Sequence, residues 1–477
     1  MSRVHLRPSE VGSRFLDSLC IVIPMVSPLT IQFVGTIPVS EILLFLMLPI
    51  ILIQRKIKRF DRTTKTLLIL MMIWAIDQAT TDLYRHTSAQ DMAKGIAAIL
   101  FFALDLIGLV ALIGGSSKRI ALFAIGSVAA VALRVWIAPD HSIIPNATLA
   151  INWKFGYGHA VHIIVLLFAS FLYKKRLFLT ILICSVAAGI IDISFDARSL
   201  GLMILVSSPL VLPVLRMRPP SFRRLSGRAE RALAERAAPK RIAIILVVCL
   251  LASILTGQLY SYAAARGFLG PEAAQKYDVQ SRGRYGILVG GRPETLVETR
   301  AVLASPIVGY GSYAKDIDYV YMLHDLLLES GYAETTQEAG GDLEVVGSEI
   351  PVHSYLMQGW IWAGIIGAIF WFYVLALAVR SLYRLTLIQS QWAPLYSYLL
   401  VGFCWDLLFS PFGLDARLTC SYLLVIMLGI DVFSKPSIEI PLQSAYRTRD
   451  RFDRQGEIRS THYLGFGASN AGAWETT

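Results

Sequence analysis

The feature that most constrains this chain is a series of twelve apolar runs, most of them near the ~20 residues that a membrane-spanning helix needs. Charged residues make up 16% of the sequence, well below the roughly 25% that is usual in soluble domains. The sequence therefore predicts an all-α integral membrane protein with about 12 transmembrane helices. The runs lie near residues 17–35, 38–54, 66–79, 95–114, 119–138, 158–173, 177–194, 199–215, 241–262, 353–380, 394–411 and 416–433.

Positive charges mark every second connection between these runs. Lysines and arginines cluster before the first run and in the connections around 55–65, 118–119, 174–176 and 216–241. Because positive loops stay on the cytoplasmic side, this alternation predicts that both termini are cytoplasmic. It also accounts for the net charge of +10, so we predict no nucleic-acid partner. The first run lacks a small-residue cleavage site and is expected to be retained as a span.

The predicted organisation has four parts. Residues 1–262 hold transmembrane helices 1–9, and residues 263–352 form one long loop on the outer side, with short helices in it. Residues 353–433 hold helices 10–12, and residues 434–477 form a polar, charge-mixed tail that is expected to be disordered in the cytoplasm. Long loops are usually functional, so the chemistry is expected in the outer loop and the span edges beside it.

Within the loop, Arg292-Pro293-Glu294 predicts the start of a helix that ends at Ser305-Pro306. A turn at 309–311 (Gly-Tyr-Gly) follows, and 316–330 has the apolar spacing of an amphipathic helix. Residues 333–350 are acidic and contain glycine, so a loop is predicted there.

His353 opens the run that follows this loop. A continuous helix of about 27 residues from this position would be some 40 Å long, with His353 at the outer interface. In such a helix Gly364 and Gly367 would lie within about 40° of the His353 direction, which predicts a histidine above a glycine groove. The alternative is close helix packing through Gly359, Ala363 and Gly367, which are spaced four apart.

These residues carry a resemblance to a known family. His353-Ser354, followed by Gly364 and Gly367, is similar to the histidine motif of the O-antigen ligase family, shared in looser form by O-antigen and exopolysaccharide polymerases. The Arg292 helix leading into the turn at 305–311 resembles the family's loop pattern, and Arg198-Ser199 resembles the element before its eighth span. The resemblance also covers the plan of twelve spans with one long outer loop before the tenth.

The resemblance implies a glycosyltransferase of the bacterial inner membrane with a periplasmic active site and no cofactor. Its donor would be an oligosaccharide on undecaprenyl diphosphate, and its acceptor a sugar hydroxyl of a glycan or lipid-linked glycan. Arg198 and Arg292 are predicted to bind the diphosphate, because a guanidinium stays charged and pairs with two phosphate oxygens. His353 is predicted to be the general base, with inversion at the anomeric carbon. Gly364 and Gly367 are predicted to contact substrate, and Glu349 is the alternative base.

Several alternatives stay open at the level of the sequence. We favour a polymerase of lipid-linked repeat units, with a chain-length regulator as a candidate partner, over a ligase that transfers the glycan to lipid A core. A transporter or flippase is the alternative from another class. Arg198 could simply pair with Asp196, and His324 begins a second, weaker histidine motif. His159 and His162 share a helix face but have no acidic residue nearby in the sequence, so no metal site is predicted.

Overall fold

The structure is a computed structural model of the chain. It describes residues 10–33, 35–55, 60–138, 140–144, 146–210, 292–329, 348–387 and 390–433, together with single residues and short stretches between 243 and 278. The predicted basic connection at 216–241, part of the ninth apolar run, residues 333–347 of the acidic loop and the tail lie outside the described residues.

The described chain is almost entirely helical. Its long helices are Glu10–Met25, Val39–Arg55, Arg62–Tyr84, Ala89–Ile113, Ser117–Ile137, Gly158–Lys174, Phe178–Ser194, Arg198–Leu210, Glu294–Ala304, Ile317–Glu329, Tyr355–Leu387, Ala393–Phe409 and Leu414–Phe433. A short helix, Leu149–Asn152, and a π-helical turn, Trp153–Tyr157, lead into Gly158–Lys174. The strands Thr30–Gln32 and Thr36–Pro38 pair antiparallel, with Ile31 opposite Ile37. The first helix therefore ends earlier than predicted, because Pro28 cannot continue a helical hydrogen-bond ladder and a hairpin follows it.

Five helices in the described part are long and apolar enough to cross a membrane. Large aliphatic side chains point outward on several helices, among them Ile53, 75% exposed, and Leu179, 70% exposed. Apolar surface of this kind is costly in water and is accommodated by lipid. These helices confirm the coarse prediction of an all-α membrane protein, and the count of twelve spans stays a prediction.

Three basic residues of the first five helices, Arg55, Lys118 and Arg119, lie at one end of the bundle, which we call the anchoring end. Arg55 donates to the carbonyl oxygens of Ala111 (3.2 Å) and Gly114 (2.8 Å), where a helix ends. Arg119 donates to Asp17 at 2.8 Å and to the Leu112 carbonyl at 2.9 Å. These arginines therefore satisfy helix C-terminal carbonyls that have no partner within their own helix.

Residues 355–387 do not form the continuous helix that the sequence predicts. The dihedral angles leave the helical region at Ala363 (φ −119°, ψ 16°) and Gly364 (φ 60°, ψ −152°). The rings of Tyr355 and Trp371 are 5.4 Å apart, whereas sixteen residues of straight helix would separate them by roughly 24 Å. The chain therefore folds back on itself, and we call 355–362 and 365–387 the first and second halves of the hairpin helix.

The predicted groove of Gly364 and Gly367 beneath His353 is therefore wrong. Gly364 has a conformation open in practice to glycine alone, so it marks the bend between the two halves. A Cβ on Gly367 would lie 2.1 Å from the carbonyl oxygen of Gly359 and 3.2 Å from Cβ of Ala363. The small residues do pack closely, as the alternative interpretation held, but they do so within one folded-back element.

A loop turn, residues 305–311, fits into this bend. Backbone N–H groups of Tyr310 and Gly311 donate to the carbonyls of Ile361 (2.7 Å) and Trp362 (3.0 Å), and Ile365 N–H donates to Ile307 (3.2 Å). The turn therefore takes over hydrogen bonds that the helix loses where it breaks, a requirement for any backbone group buried away from water.

Helix Arg62–Tyr84 holds the turn from the other side. Thr81 donates to the Val308 carbonyl at 3.0 Å, and Arg85 donates to the Gly309 carbonyl at 2.8 Å. Asp82 is buried and accepts from both the backbone N–H and the hydroxyl of Ser312 (2.5 and 2.7 Å). These contacts fix the loop to the helices, and with it the helix Glu294–Ala304 that precedes the turn.

Candidate functional site

The candidate site is built where the hairpin helix begins. Ser354 caps its first half by accepting from Met357 N–H at 3.2 Å, and its hydroxyl donates to the Leu407 carbonyl at 3.0 Å. Gln358 binds both backbone groups of Phe412, at 2.8 and 3.2 Å. The start of the hairpin helix is thereby joined to the end of helix Ala393–Phe409, and His353 lies exposed just before the cap.

Glu298 lies directly beneath His353. The helix predicted after Arg292 is confirmed as Glu294–Ala304, and it buries Val297, Glu298 and Ala301 on one face. The Glu298 side chain is 2% exposed, and its carboxylate accepts a hydrogen bond from the backbone N–H of His353. Burial raises the pKa of Glu298 to about 7, against the opposing effects of the His353 hydrogen bond and of Arg292. A carboxyl that titrates near neutral pH therefore adjoins the predicted base.

Arg292 stands at the start of the same helix and rests on aromatic rings. Its guanidinium carbon is 5.2 Å from the ring centroids of both Trp405 and Phe409, and Nη1 donates to the Phe409 carbonyl at 2.7 Å. Burial lowers the pKa of Arg292, while Glu294 and Glu298 oppose that shift. The two rings and the carbonyl contact restrain the position of the guanidinium.

Arg198 is positioned by a tight turn between two helices. Helix Phe178–Ser194 ends, the backbone passes through a positive φ of 53° at Asp196, and Arg198 opens the next helix. Its guanidinium carbon lies 4.1 Å above the ring of Tyr260, and Nε is 3.9 Å from Asp196. The predicted alternative, a local pair with Asp196, is therefore present as a loose ion pair, together with the aromatic contact.

The turn that carries Arg198 is fastened by a buried polar group. The backbone carbonyl of Asp192 accepts from Ala197 N–H at 2.8 Å, and its carboxylate accepts from the indole of Trp153 at 2.9 Å. The same carboxylate lies 2.9 Å from Nε2 of His162, and both side chains are fully buried. A buried charge needs such partners, so this contact holds the Arg198 turn in place.

The two predicted arginines lie within electrostatic range of one another although they are far apart in the sequence. The positive charge of Arg198 contributes to lowering the pKa of Arg292. Two like charges in one region repel each other, and an anionic ligand with several oxygens would relieve that repulsion. Arg198, Arg292, Glu298 and His353 therefore form one group, which we call the cationic site.

The remaining predicted residues lie elsewhere. Glu349 pairs through its backbone with Lys315, whose Nζ binds Asp91 at 2.7 Å. Gly364 and Gly367 have the backbone roles described above, and their contact with substrate stays a prediction. His324, the weaker histidine candidate, lies on helix Ile317–Glu329, 4.0 Å from Asp325.

Sequence reasoning missed Glu298, Tyr260 and Trp405. Glu298 left a signal, because a lone carboxylate falls between Val297 and Ala301 on the face that the helix buries. Tyr260 and Trp405 left none, since an aromatic residue in an apolar run is equally typical of a core or a lipid-facing position. Asp192 was missed as a neighbour of His162 because the two residues lie on different helices and are far apart in the sequence. Among the described residues, no group of three or more His, Cys, Asp or Glu is placed to hold a metal.

No family model, no curated protein and no solved structure matches this chain.

Proposed function

We propose that this protein is a glycosyltransferase that uses a lipid-diphosphate-linked oligosaccharide as donor. In the form we favour, it is a polysaccharide polymerase that transfers the glycan from undecaprenyl diphosphate to a sugar hydroxyl of another lipid-linked repeat unit. The single observation that carries the proposal is the cationic site, where Arg292 lies within electrostatic range of Arg198 and of Glu298, whose carboxylate accepts the backbone N–H of His353. The resemblance of the same residues to the O-antigen ligase and polymerase motifs supports it.

The chemistry proposed for the site has one displacement step. The acceptor hydroxyl oxygen attacks the anomeric carbon of the donor while the bond from that carbon to the diphosphate oxygen breaks. The leaving lipid diphosphate takes the bonding pair, and Arg198 and Arg292 stabilise the charge that develops on it. The proton of the acceptor hydroxyl passes to His353. Direct attack of this kind inverts the anomeric centre.

Glu298 has a positioning role in this proposal. Its carboxylate receives the backbone N–H of His353, and its charge acts on Arg292. A carboxyl with a pKa of about 7 is partly protonated at neutral pH, so it neutralises less of the arginine charge than an ordinary glutamate would. The arginines thereby keep positive charge for the diphosphate.

The proposed setting is the bacterial inner membrane, with the chain crossing it several times, both termini in the cytoplasm and the cationic site at the periplasmic face. Two observations support this. The basic residues Arg55, Lys118 and Arg119 gather at one end of the bundle, as cytoplasmic positive charges do. The cationic site is attached to the loop turn and helix that follow the predicted ninth span.

The test is product analysis of the purified full-length chain in lipid vesicles with an undecaprenyl diphosphate-linked repeat unit, in the presence of EDTA. We expect a ladder of longer glycans that is lost in His353→Ala and in Arg292→Ala. His324→Ala and Arg134→Ala are the matched controls, because His324 is outside the cationic site and Arg134 pairs with Asp415, with both side chains exposed. Both controls should keep the ladder.

The other outcomes discriminate between the alternatives. Transfer only after lipid A core is added would make the protein a ligase. Movement of lipid-linked glycan across the vesicle membrane without a new linkage would make it a transporter or flippase and refute the enzyme. A ladder that survives in His353→Ala but not in Arg292→Ala would keep the enzyme and remove the histidine from the base role.

A further inference from the structure

A second site is suggested by a cavity on the other side of the hairpin helix. It has a volume of about 700 Å³, within the roughly 300–1,000 Å³ that is usual for small-ligand sites. Tyr355, Gln358 and Trp362 of the first half line it, as does Phe412, the residue that Gln358 holds. The cavity and the cationic site therefore share the short segment that begins just after His353.

The lining is aromatic and amide-rich rather than aliphatic. Eight of its described lining residues are aromatic and four are glutamines, whereas only Ile37, Ile99 and Leu414 carry a larger aliphatic side chain. A lipid tail would pack on the rings but would leave the glutamine amides without hydrogen-bond partners. A sugar ring has C–H groups on its faces, which pack on aromatic rings, and hydroxyl groups around its edge, which bond to amides.

Three polar atoms in the walls lack hydrogen-bond partners among the described residues. They are the indole N–H groups of Trp74 and Trp371 and the amide oxygen of Gln78. Each such buried group costs free energy until it is satisfied. Hydroxyl groups both donate and accept, so one class of ligand could satisfy both kinds of atom after a small side-chain shift.

The charge of the cavity favours an acidic sugar. Lys94 and Arg417 line it, and no carboxylate is among the described lining residues. Arg417 is bound through two hydrogen bonds to the buried Glu41 (2.7 and 3.0 Å), so its charge is matched. Nζ of Lys94 lies 5.7 Å from the ring centroid of Tyr313, which places an ammonium beside an aromatic wall.

We propose that this cavity binds a glycan segment that carries an acidic sugar. Stacking on Trp362 and Tyr313 would hold the ring, and Lys94 would bind the carboxylate. Its use as the acceptor site, which would deliver a hydroxyl to His353 past the first half of the hairpin helix, rests on the proposed function. Sugar binding itself does not.

The experiment measures binding to the full-length chain in lipid nanodiscs by saturation-transfer NMR, with trigalacturonic acid, maltotriose and inorganic pyrophosphate as probes. We expect trigalacturonic acid to bind more tightly than maltotriose, and pyrophosphate not to displace it. Trp362→Ala removes a half-buried wall residue, and Ala98→Phe fills the cavity. Each should weaken binding about tenfold or more.

Two further variants separate the contributions. Trp136→Ala, at a tryptophan that is 75% exposed and not in the lining, should bind like the wild type. Lys94→Gln should lower the affinity for trigalacturonic acid to that for maltotriose while leaving maltotriose binding unchanged. Failure of both sugars to bind the wild-type chain, or equal binding in Trp362→Ala, Ala98→Phe and Trp136→Ala, would overturn the proposal. So would displacement of trigalacturonic acid by pyrophosphate.

The glycan-transfer assay keeps the two proposals apart. If the wild type binds sugar but forms no ladder, the glycan site stands and the proposed enzyme fails. If the ladder forms and Ala98→Phe leaves the KM for the acceptor unchanged, the enzyme stands and the acceptor site fails. A rise in that KM with little change in kcat is the expected result.

Discussion

The two ends of the helix bundle fix their arginines in different ways. At the anchoring end, Arg55 and Arg119 use their side chains to bind helix carbonyls and Asp17. At the opposite end, the loop turn 305–311 is fitted by its backbone into the bend at Gly364. Arg198 and Arg292 there lie over aromatic rings, and Arg292 also donates to the helix-end carbonyl of Phe409 at 2.7 Å.

This difference separates two arginines that are held mainly by helix carbonyls and Asp17 from two that are held in part by aromatic rings. A guanidinium that caps a helix end has its donors directed at fixed protein oxygens, so it stabilises that end and has little left for a ligand. A guanidinium held by the face of an aromatic ring is oriented while its edge, where the donors are, can point elsewhere. The loop turn itself is held by its backbone hydrogen bonds and by Arg85, which donates to the Gly309 carbonyl.

The largest effect that tests this comparison should come from Gly364→Ala. A Cβ there would lie 1.9 Å from the Ile307 carbonyl oxygen, on a backbone conformation that alanine does not adopt. We expect a loss of more than about 4 kcal/mol in stability, or no folded protein. Thermal unfolding of the purified chain in detergent measures it.

Gly402→Ala is the matched control. Its Cβ would meet Met203 Sδ at 3.6 Å, an ordinary contact, so the stability should change by less than about 1 kcal/mol. Equal stability of the two variants would show that the loop turn is not fitted tightly into the hairpin helix.

The next largest effect should be the loss of glycan transfer in Arg292→Ala. Removing one fixed donor to a developing charge lowers the rate by about 10²–10³-fold, and we expect a loss of that size per folded molecule. Arg292→Lys should recover little of it, because an ammonium cannot make the paired contact to two phosphate oxygens. Single-turnover transfer with the lipid-linked repeat unit is the measurement. Full activity in Arg292→Ala would remove the distinction between the two kinds of arginine.

Much of the fold could be predicted from the sequence, because the signals that specify its helices lie close to them in the chain. Apolar runs and basic connections follow from the cost of placing polar groups in lipid, which depends on composition alone. The helix Glu294–Ala304 was predicted from Pro293 and Glu294 at its start, and the helix after the turn at 309–311 from its spacing. Both signals lie within a few residues of the element that they specify.

The bend in the hairpin helix and the composition of the cationic site could not be predicted from the sequence. A glycine such as Gly364 in an apolar run is typical of a helix-packing position. The bend forms there because residues 305–311, from another part of the chain, bind the backbone groups at the break. Glu298 becomes significant only once its buried face meets His353. Long-range contacts of this kind leave no periodicity to detect.

A smaller effect is expected at the anchoring end, from Arg119→Ala. The change leaves Asp17 paired with Lys118 and removes the donor to the Leu112 carbonyl. We expect the stability to fall by about 1–3 kcal/mol, with transfer per folded molecule unchanged. Thermal unfolding and transfer assays on the same preparation measure the two quantities. A selective loss of transfer at full stability would mean that this end takes part in the reaction after all.

A further effect should be a pH dependence of stability at the cationic site, which is tested by comparing Glu298→Gln with the wild type. Because the pKa of Glu298 is about 7 in the folded chain and about 4.5 when unfolded, the folded state holds the proton more tightly between those values. The wild type should therefore lose stability as the pH rises from about 4.5 to 7, whereas glutamine, which can still accept the His353 N–H, does not titrate. The Tm of Glu298→Gln minus that of the wild type should be larger at pH 8 than at pH 5. If this Tm difference were the same at both pH values, Arg292 would already compensate the charge of the buried carboxylate. The two ends of the bundle would then differ mainly in how the backbone is held and less in their electrostatics.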